Sequence, residues 1–333
     1  MQTPARINKA IFFFLLWYFI SSVLLGVILA PFEPSLVVLI GLGQVVGLFV
    51  PFLFYLLITK QSFKQVLPCE KLTGKNTLLT VIFSFAMLPV LHLVSNLLSF
   101  LFVPMIGDVI GPADQSPMWL MLIVVGVFPS LFEEFWFRGA MYTEYRAGKV
   151  PILKIAIVTA FFFGFFHANF QQSLYAAFLG VFYAYIVHYT RSIWSVILAH
   201  FINNGSSVVL MYIGSYQEWL AGQTQTVMLL ILVIVSAFMV PVLIICLKQF
   251  KKHYDTTKTT DEFTTEAETQ VAADQDRVQI LDEQIGDHVS VNVSIEEVNV
   301  DIRKPKVLTW GFLAALILVL IMNILMEIVL RFS

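Results

Sequence analysis

Long apolar runs separated by short polar segments make up most of the chain. A helix needs about 20 apolar residues to cross the hydrocarbon core of a bilayer. Nine runs approach that length, at 10–30, 35–59, 76–104, 117–145, 151–168, 172–190, 192–213, 225–248 and 307–330. The fifth and sixth runs are short and closely spaced, so their ends are the least defined. The pattern predicts an all-α, polytopic bundle of about nine transmembrane helices.

One long polar segment, residues 249–306, interrupts this pattern. It holds 13 Asp or Glu against 7 Lys or Arg, which is a net charge of −6. Residues 255–269 are rich in Thr and Glu and predict a flexible linker. Further on, apolar and polar residues alternate with the period of a strand, which is consistent with a small β-hairpin. The alternating apolar positions are Val289, Val291, Val293 and Ile295.

These boundaries predict three parts. They are a bundle of about eight transmembrane helices over 1–248, a cytoplasmic insert over 249–306 and a last transmembrane helix within 307–333. The insert is either a plain tether for the last helix or a site for a cytoplasmic partner. Its acidic charge gives no nucleic-acid signature, so no nucleic-acid partner is expected.

Charge indicates how the helices are oriented. Only 13% of the residues are charged, against about 25% in soluble domains. With the N-terminus in the cytoplasm and successive loops on alternating sides, 19 of the 20 Lys and Arg fall on the cytoplasmic side and only Arg331 falls outside. Because positively charged loops are retained in the cytoplasm, the sequence predicts a multi-pass protein of the cell membrane with its C-terminus on the outer side.

The chain gives no sign of processing or of disulfide bonds. The first apolar run lacks a signal-peptidase pattern and is expected to remain as a helix. Cys69 and Cys246 lie far apart and form neither a disulfide framework nor a CxxC metal motif.

The fourth apolar run carries ionisable residues, which are costly in hydrocarbon and therefore mark candidate functional sites. Glu133 and Glu134 are adjacent and flanked by aromatic residues, and Arg138 follows. Glu134 and Arg138 are four residues apart with the acid first, the favourable order for an ion pair on a helix. Glu133 lies about 100° further round the helix without a local cation, which suits a general base. A purely structural ion-pair network is the alternative.

Two later runs carry histidines with a partner on the same helical face. The fifth run has Phe163-x-x-x-His167 and the seventh has His200-x-x-x-Asn204. Counted from the cytoplasmic ends of their helices, Glu133, His200 and His167 could meet in a cavity open to the cytoplasm, although the depth of His167 fits least well.

Other histidines and acids have simpler interpretations. In the third run, His92 and Asn96 repeat the His-x-x-x-Asn spacing, which shows that it can recur by chance. Glu327 is expected to form a surface pair with Arg331. His188 is expected to be solvated at the cytoplasmic edge.

Together these residues predict amide hydrolysis within the membrane. Glu133 would deprotonate a water that His167 orients, and His200 and Asn204 would donate hydrogen bonds to the oxyanion. The chain lacks a Gly-x-Ser-x-Gly elbow and a His-Glu-x-x-His motif. His167, His200 and Glu133 could bind zinc as a His₂Glu set, so hydrolysis with a metal and hydrolysis without one both remain open.

The ordered set Glu-Glu-x-x-x-Arg, Phe-x-x-x-His and His-x-x-x-Asn resembles the CPBP (Abi) family over 117–213. The family contains CAAX prenyl endopeptidases and bacterial bacteriocin-processing or self-immunity proteins. The resemblance implies an intramembrane endopeptidase with Glu133 as the catalytic glutamate and with Glu134, His167 and His200 in the site.

The resemblance has further implications. It selects the His-x-x-x-Asn pair of His200 over that of His92, and it favours a water activated by glutamate without a metal. The substrate would be a membrane-associated protein or peptide. The acidic insert and the last helix depart from the shared core and leave substrate and regulation open.

Two other functions compete with proteolysis. The first is a non-proteolytic bacteriocin self-immunity or membrane interaction protein on the same scaffold. The second is a transporter, since buried Glu and His also build proton relays. The chain has no inverted repeat or pair of broken helices that would support a transporter.

Overall fold

The structure is a computed structural model that describes residues 4–103, 116–213, 219, 222–284 and 307–332. Of 259–284 and 332 only the backbone is described. The described part of the chain is helical and contains no strand, with a single isolated bridge between Cys69 and Ser192. The alternating segment around Val289 lies outside the described residues.

Nine long helices make up the bundle in the described residues. They are α1 Pro4–Leu29, α2 Leu36–Thr59, α3 Gly74–Leu98, α4 Met118–Ala147, α5 Ile152–Phe165, α6 Phe170–Thr190, α7 Ile193–Tyr212, α8 Gln225–Gln284 and α9 Trp310–Phe332. Eight of them contain an apolar stretch long enough to cross a membrane, and α5 is shorter. The predicted all-α, multi-pass membrane architecture is confirmed.

The fifth and eighth helices differ from the sequence prediction. α5 ends at Phe165 rather than near 168, because the chain turns there before α6. α8 continues to Gln284 through residues 255–269, which composition predicted as a flexible linker. No Gly or Pro occurs between Lys251 and Gln284, and extending an existing helix costs far less than starting one.

The chain divides into two compact units. One unit is Met1–Phe250 together with Pro305–Ser333, and the other is Lys251–Lys304. The first unit holds all the predicted catalytic residues.

Wide π-helical turns interrupt two of the helices. They lie at Val45–Phe49 in α2 and at Leu122–Val127 and Phe135–Met141 in α4. Such turns occur frequently at functional sites. In α4 they bracket the regular segment Phe128–Glu134, which carries both glutamates.

α5 and α6 pack closely through small residues. A side chain on Gly164 would collide with the carbonyl oxygen of Ser173 and come within 2.7 Å of the backbone nitrogen of Ala177. A side chain on Gly180 would lie 3.0 Å from the Cα of Ala160. Small residues allow transmembrane helices to approach in this way. The contacts also show that α5 and α6 run antiparallel.

Candidate active site

A cavity of about 710 Å³ lies within the bundle. Five of the predicted site residues line it, from α4, α5, the α5–α6 turn and α7: Glu133, Phe163, His167, His200 and Asn204. His167, which fits least well from helix depth alone, reaches the cavity because α5 stops two residues before it.

Glu134 and Arg138 form the predicted ion pair next to this cavity. Arg138 Nη1 lies 3.2 Å from Glu134 Oε1, and both side chains are fully buried. Arg138 Nη2 also donates to the carbonyl of Gly180 on α6 at 2.9 Å. Arg138 therefore joins α4 to α6 and does not belong with the loop cations of the orientation prediction.

Phe163 lies between this arginine and the two histidines. Its ring is 4.1 Å from the guanidinium carbon of Arg138. The ring meets His167 and His200 edge to face, with centroids 5.8 and 5.7 Å apart. Phe163 therefore packs against both imidazoles and restricts their orientation.

Glu134 has a second partner that the sequence does not reveal. His200 Nδ1 lies 2.9 Å from the same Oε1 atom that Arg138 contacts. Because Oε1 already accepts from Arg138, His200 Nδ1 is the donor in this contact. Glu134 therefore orients the histidine of α7 as well as pairing with the arginine of its own helix.

His200 and Asn204 also contact each other. Asn204 Nδ2 lies 3.2 Å from His200 Nε2 and donates to the carbonyl of Val125 at 3.1 Å. With Nδ1 protonated, Nε2 of a neutral imidazole is an acceptor. Both N–H groups of the Asn204 amide are thus engaged, so an oxyanion would have to take over one of these contacts.

Glu133 has a different environment from its neighbour. Its side chain is buried, and Oε2 has no hydrogen-bond partner among the described residues. His200 Nε2 lies 3.9 Å from this Oε2 atom. A buried carboxylate oxygen without a partner, at the wall of a cavity, can accept a proton from a bound molecule.

His167 is held in one tautomer by its own turn. Its Nδ1 lies 3.0 Å from the carbonyl of Gly164. Because a carbonyl only accepts, Nδ1 carries the proton and Nε2 of the neutral ring is an acceptor. Ala168, the next residue, has a left-handed backbone with φ of 57°.

The third helix also contributes to the cavity, although the spacing of His92 and Asn96 was interpreted as a chance recurrence. His92, Ser95 and Asn96 line the same cavity as Glu133. The Asn96 amide donates to the carbonyl of His92 on its own helix at 2.8 Å. The repeated His-x-x-x-Asn spacing correctly marks one helical face. That this face meets the cavity depends on the packing of α3 against α7.

Two other expectations are corrected or refined. His188 is buried rather than solvated, with Nδ1 3.1 Å from the hydroxyl of Tyr142. The Glu327–Arg331 pair is present at 2.8 Å, but Glu327 is buried whereas Arg331 is exposed. For His188 the contact with Tyr142 of α4 shows that a neighbouring helix covers this position.

The histidine of the alternative zinc set on α7 has contacts at both ring nitrogens. Nδ1 of His200 lies beside Glu134, and Nε2 lies beside Asn204. Within the described ranges no group of three or more His, Cys, Asp or Glu is placed to hold a metal ion.

Comparison with known proteins identifies the central segment. Residues 115–206 match the family model described as Rce1-like, type II CAAX prenyl endopeptidase Rce1-like. The match includes the site residues Glu133, Glu134, His167, His200 and Asn204. No curated protein and no solved structure matches the chain significantly.

Proposed function

Because residues 115–206 contain a CAAX-protease domain of the CPBP family, we propose that this membrane protein is an endopeptidase that uses Glu133 to activate a water. The substrate is a membrane-associated protein or peptide. The observation that carries the proposal is the unpartnered, buried Oε2 of Glu133 at the cavity wall. Oε2 of Glu134 also has no partner among the described residues, but Glu134 does not line the cavity, and its Oε1 contacts Arg138 and His200.

The water is held between Glu133 and His167. It donates one hydrogen to the carboxylate and the other to Nε2 of His167, which Gly164 keeps as an acceptor. This arrangement leaves a lone pair of the water oxygen for the carbonyl carbon of the substrate. As the C–O bond forms, Glu133 takes the proton.

Asn204 stabilises the oxyanion of the tetrahedral intermediate. The N–H that now contacts His200 Nε2 turns to the substrate oxygen. If His200 takes a further proton from solvent before the substrate binds, Nε2 becomes a second donor to the oxyanion, and Glu134 would stabilise that imidazolium through Nδ1. When the C–N bond breaks, the proton held by Glu133 passes to the leaving amine.

We also propose that the N-terminus lies in the cytoplasm of a cell membrane and the C-terminus outside. The support is the concentration of Lys and Arg in one set of loops. The fully buried Arg138 is the exception and contributes nothing to that bias.

The direct test replaces Glu133 by Gln, which keeps the size of the side chain and removes the base. We expect the cleavage rate of the purified protein to fall by about 10²- to 10⁴-fold. The substrate is first identified by comparing membrane-protein termini from cells with wild type and Glu133→Gln. The cleavage assay is then run with a metal chelator present.

The matched control is Glu327→Gln, which changes another buried glutamate of the bundle that lies outside the cavity lining. This variant should cleave at the wild-type rate. Full cleavage by Glu133→Gln would refute the proposed base.

A further inference from the structure

The last helix places a polar residue in an otherwise apolar part of the bundle. Asn323 of α9 is fully buried. Its Nδ2 donates to the carbonyls of Phe165 and Val319, both at 2.7 Å, and its Oδ1 accepts from the hydroxyl of Ser173 at 2.7 Å. A buried amide is costly unless its hydrogen bonds are made, and here the donor and acceptor atoms are both used.

The two partners on other helices bracket the turn that carries His167. Phe165 is the last residue of α5, and Ser173 lies in the first turn of α6. The last carbonyls of a helix lack intrahelical partners, so the carbonyl of Phe165 is a suitable acceptor. Asn323 therefore joins both ends of the turn at residues 166–169.

The turn needs such support. Ala168 adopts a left-handed backbone that non-glycine residues rarely occupy. The backbone N–H groups of His167 and Ala168 donate to Gly164 and Phe165 at 3.2 and 3.3 Å, which are long contacts. The imidazole of His167 depends on the same carbonyl of Gly164 for its tautomer.

Other contacts, not Asn323, anchor the ends of α9. Near one end, Asn8 of α1 donates to Val307 at 2.7 Å and to Thr309 at 3.0 Å. Near the other end, Arg331 donates to the carbonyl of Leu101 at 2.9 Å. The bonds of Asn323 lie between these anchors and connect the middle of α9 to both ends of the turn.

We propose that Asn323 is a positioning residue that holds the α5–α6 turn so that His167 keeps its acceptor nitrogen towards the water. The role assigned to His167 rests on the proposed function. Asn323 lies outside the family match at 115–206. The last helix is therefore part of the frame of the active site and not only a membrane anchor.

The test compares Asn323→Leu, which removes both bonds to the turn, with Ser173→Ala, which removes one. The control is Glu327→Gln on the same helix, which weakens the ion pair with Arg331 and removes none of the bonds made by Asn323. We expect kcat to fall by about 10- to 100-fold in Asn323→Leu, as for a small misplacement of a catalytic group. Ser173→Ala should lose less activity, KM should stay within about threefold for both variants, and the control should keep its kcat.

Two further measurements separate positioning from general stability. Residues that act through each other have non-additive effects. When His167→Ala is already present, adding Asn323→Leu should therefore lower kcat by less than about twofold relative to His167→Ala alone. Hydrogen exchange at the amides of 166–168 should rise in both turn variants and stay unchanged in Glu327→Gln.

The outcomes are distinguishable. Wild-type kcat and wild-type exchange in Asn323→Leu, or a fully additive loss in the His167→Ala background, would overturn the proposal. If Asn323→Leu does not fold, the same readings on Ser173→Ala decide it. If the wild-type protein cleaves nothing, the proposed function fails, while the exchange measurement still tests whether Asn323 holds the turn.

Discussion

Glu133 and Glu134 are adjacent in the sequence and meet different surroundings in the bundle. A step of about 100° along a helix turns Glu134 towards Arg138 and His200 and leaves Glu133 at the cavity wall. One carboxylate is therefore held by two partners, and the other faces the cavity. Replacing the two glutamates should therefore have different effects on the free energy of unfolding.

The two conservative replacements should separate these roles. Glu134→Gln leaves the buried Arg138 without a counter-ion, and removing one member of a buried pair costs about 3–5 kcal/mol of unfolding free energy. We expect a loss near the lower end of this range, because the amide oxygen of the introduced glutamine can still accept a hydrogen bond. Glu133→Gln removes an unpartnered buried carboxylate and should leave the unfolding free energy unchanged or raise it.

Denaturant unfolding in detergent measures both variants against wild type. Equal losses of stability would contradict the division of roles.

At the scale of elements, the α5–α6 hairpin determines where His167 lies. The close approach at Gly164 brings the end of α5 against the start of α6. The same residue provides the carbonyl that fixes the tautomer of His167. Gly164 therefore affects both the packing of the two helices and the orientation of His167.

Gly164→Ala should push the two helices apart. The new methyl would lie 2.7 Å from backbone and side-chain atoms of Ala177, and backbone cannot give way cheaply. Overpacking of this kind costs about 1–3 kcal/mol, and kcat should fall as His167 moves. The control is Gly43→Ala in α2, where an added methyl meets nothing within 4 Å.

The control should be neutral or stabilising, because Ala favours helix over Gly by about 1 kcal/mol. Unfolding and cleavage assays on both variants provide the comparison. Similar behaviour of the two would show that the close contact is unimportant.

At the scale of the whole molecule, the antiparallel hairpin also fixes the topology. α5 has 14 residues, about 21 Å at 1.5 Å per residue, which is short of a hydrocarbon core of about 30 Å. α6 returns the chain to the side of the membrane on which α5 began. The described helices therefore cross the membrane an odd number of times, whether α5 and α6 both cross it or neither does. The chain termini should therefore lie on opposite sides.

Cysteine labelling tests this topology. An impermeant maleimide should reach Cys69, which is exposed between α2 and α3, only after the cells are opened. In a Cys69→Ser, Cys246→Ser background, Ser333→Cys should be labelled on intact cells. Labelling of both positions from the same side would contradict the odd number of crossings.

The functional site was only partly predictable. The Glu134–Arg138 pair follows from a spacing of four residues on one helix, and the structure contains it. The bond from Glu134 to His200 spans 66 positions and depends on how α4 and α7 pack. His92 could be placed on a helical face, but not at the cavity. Asn323 gave no signal because a single Asn in an apolar helix does not indicate which other helices it contacts.

The sequence by itself determined the helical membrane architecture, the polar segment that interrupts it, and the ion pair of Glu134 with Arg138. Length and hydrophobicity suffice for the architecture, because the bilayer excludes other folds from a chain with such long apolar runs, and a spacing of four residues suffices for the pair. Only the tertiary structure decided that Glu134 also contacts His200, that His167 lines the cavity, and that Asn323 of the last helix contacts both ends of the α5–α6 turn. These features depend on contacts between helices, and the periodicity of a single helix does not encode them.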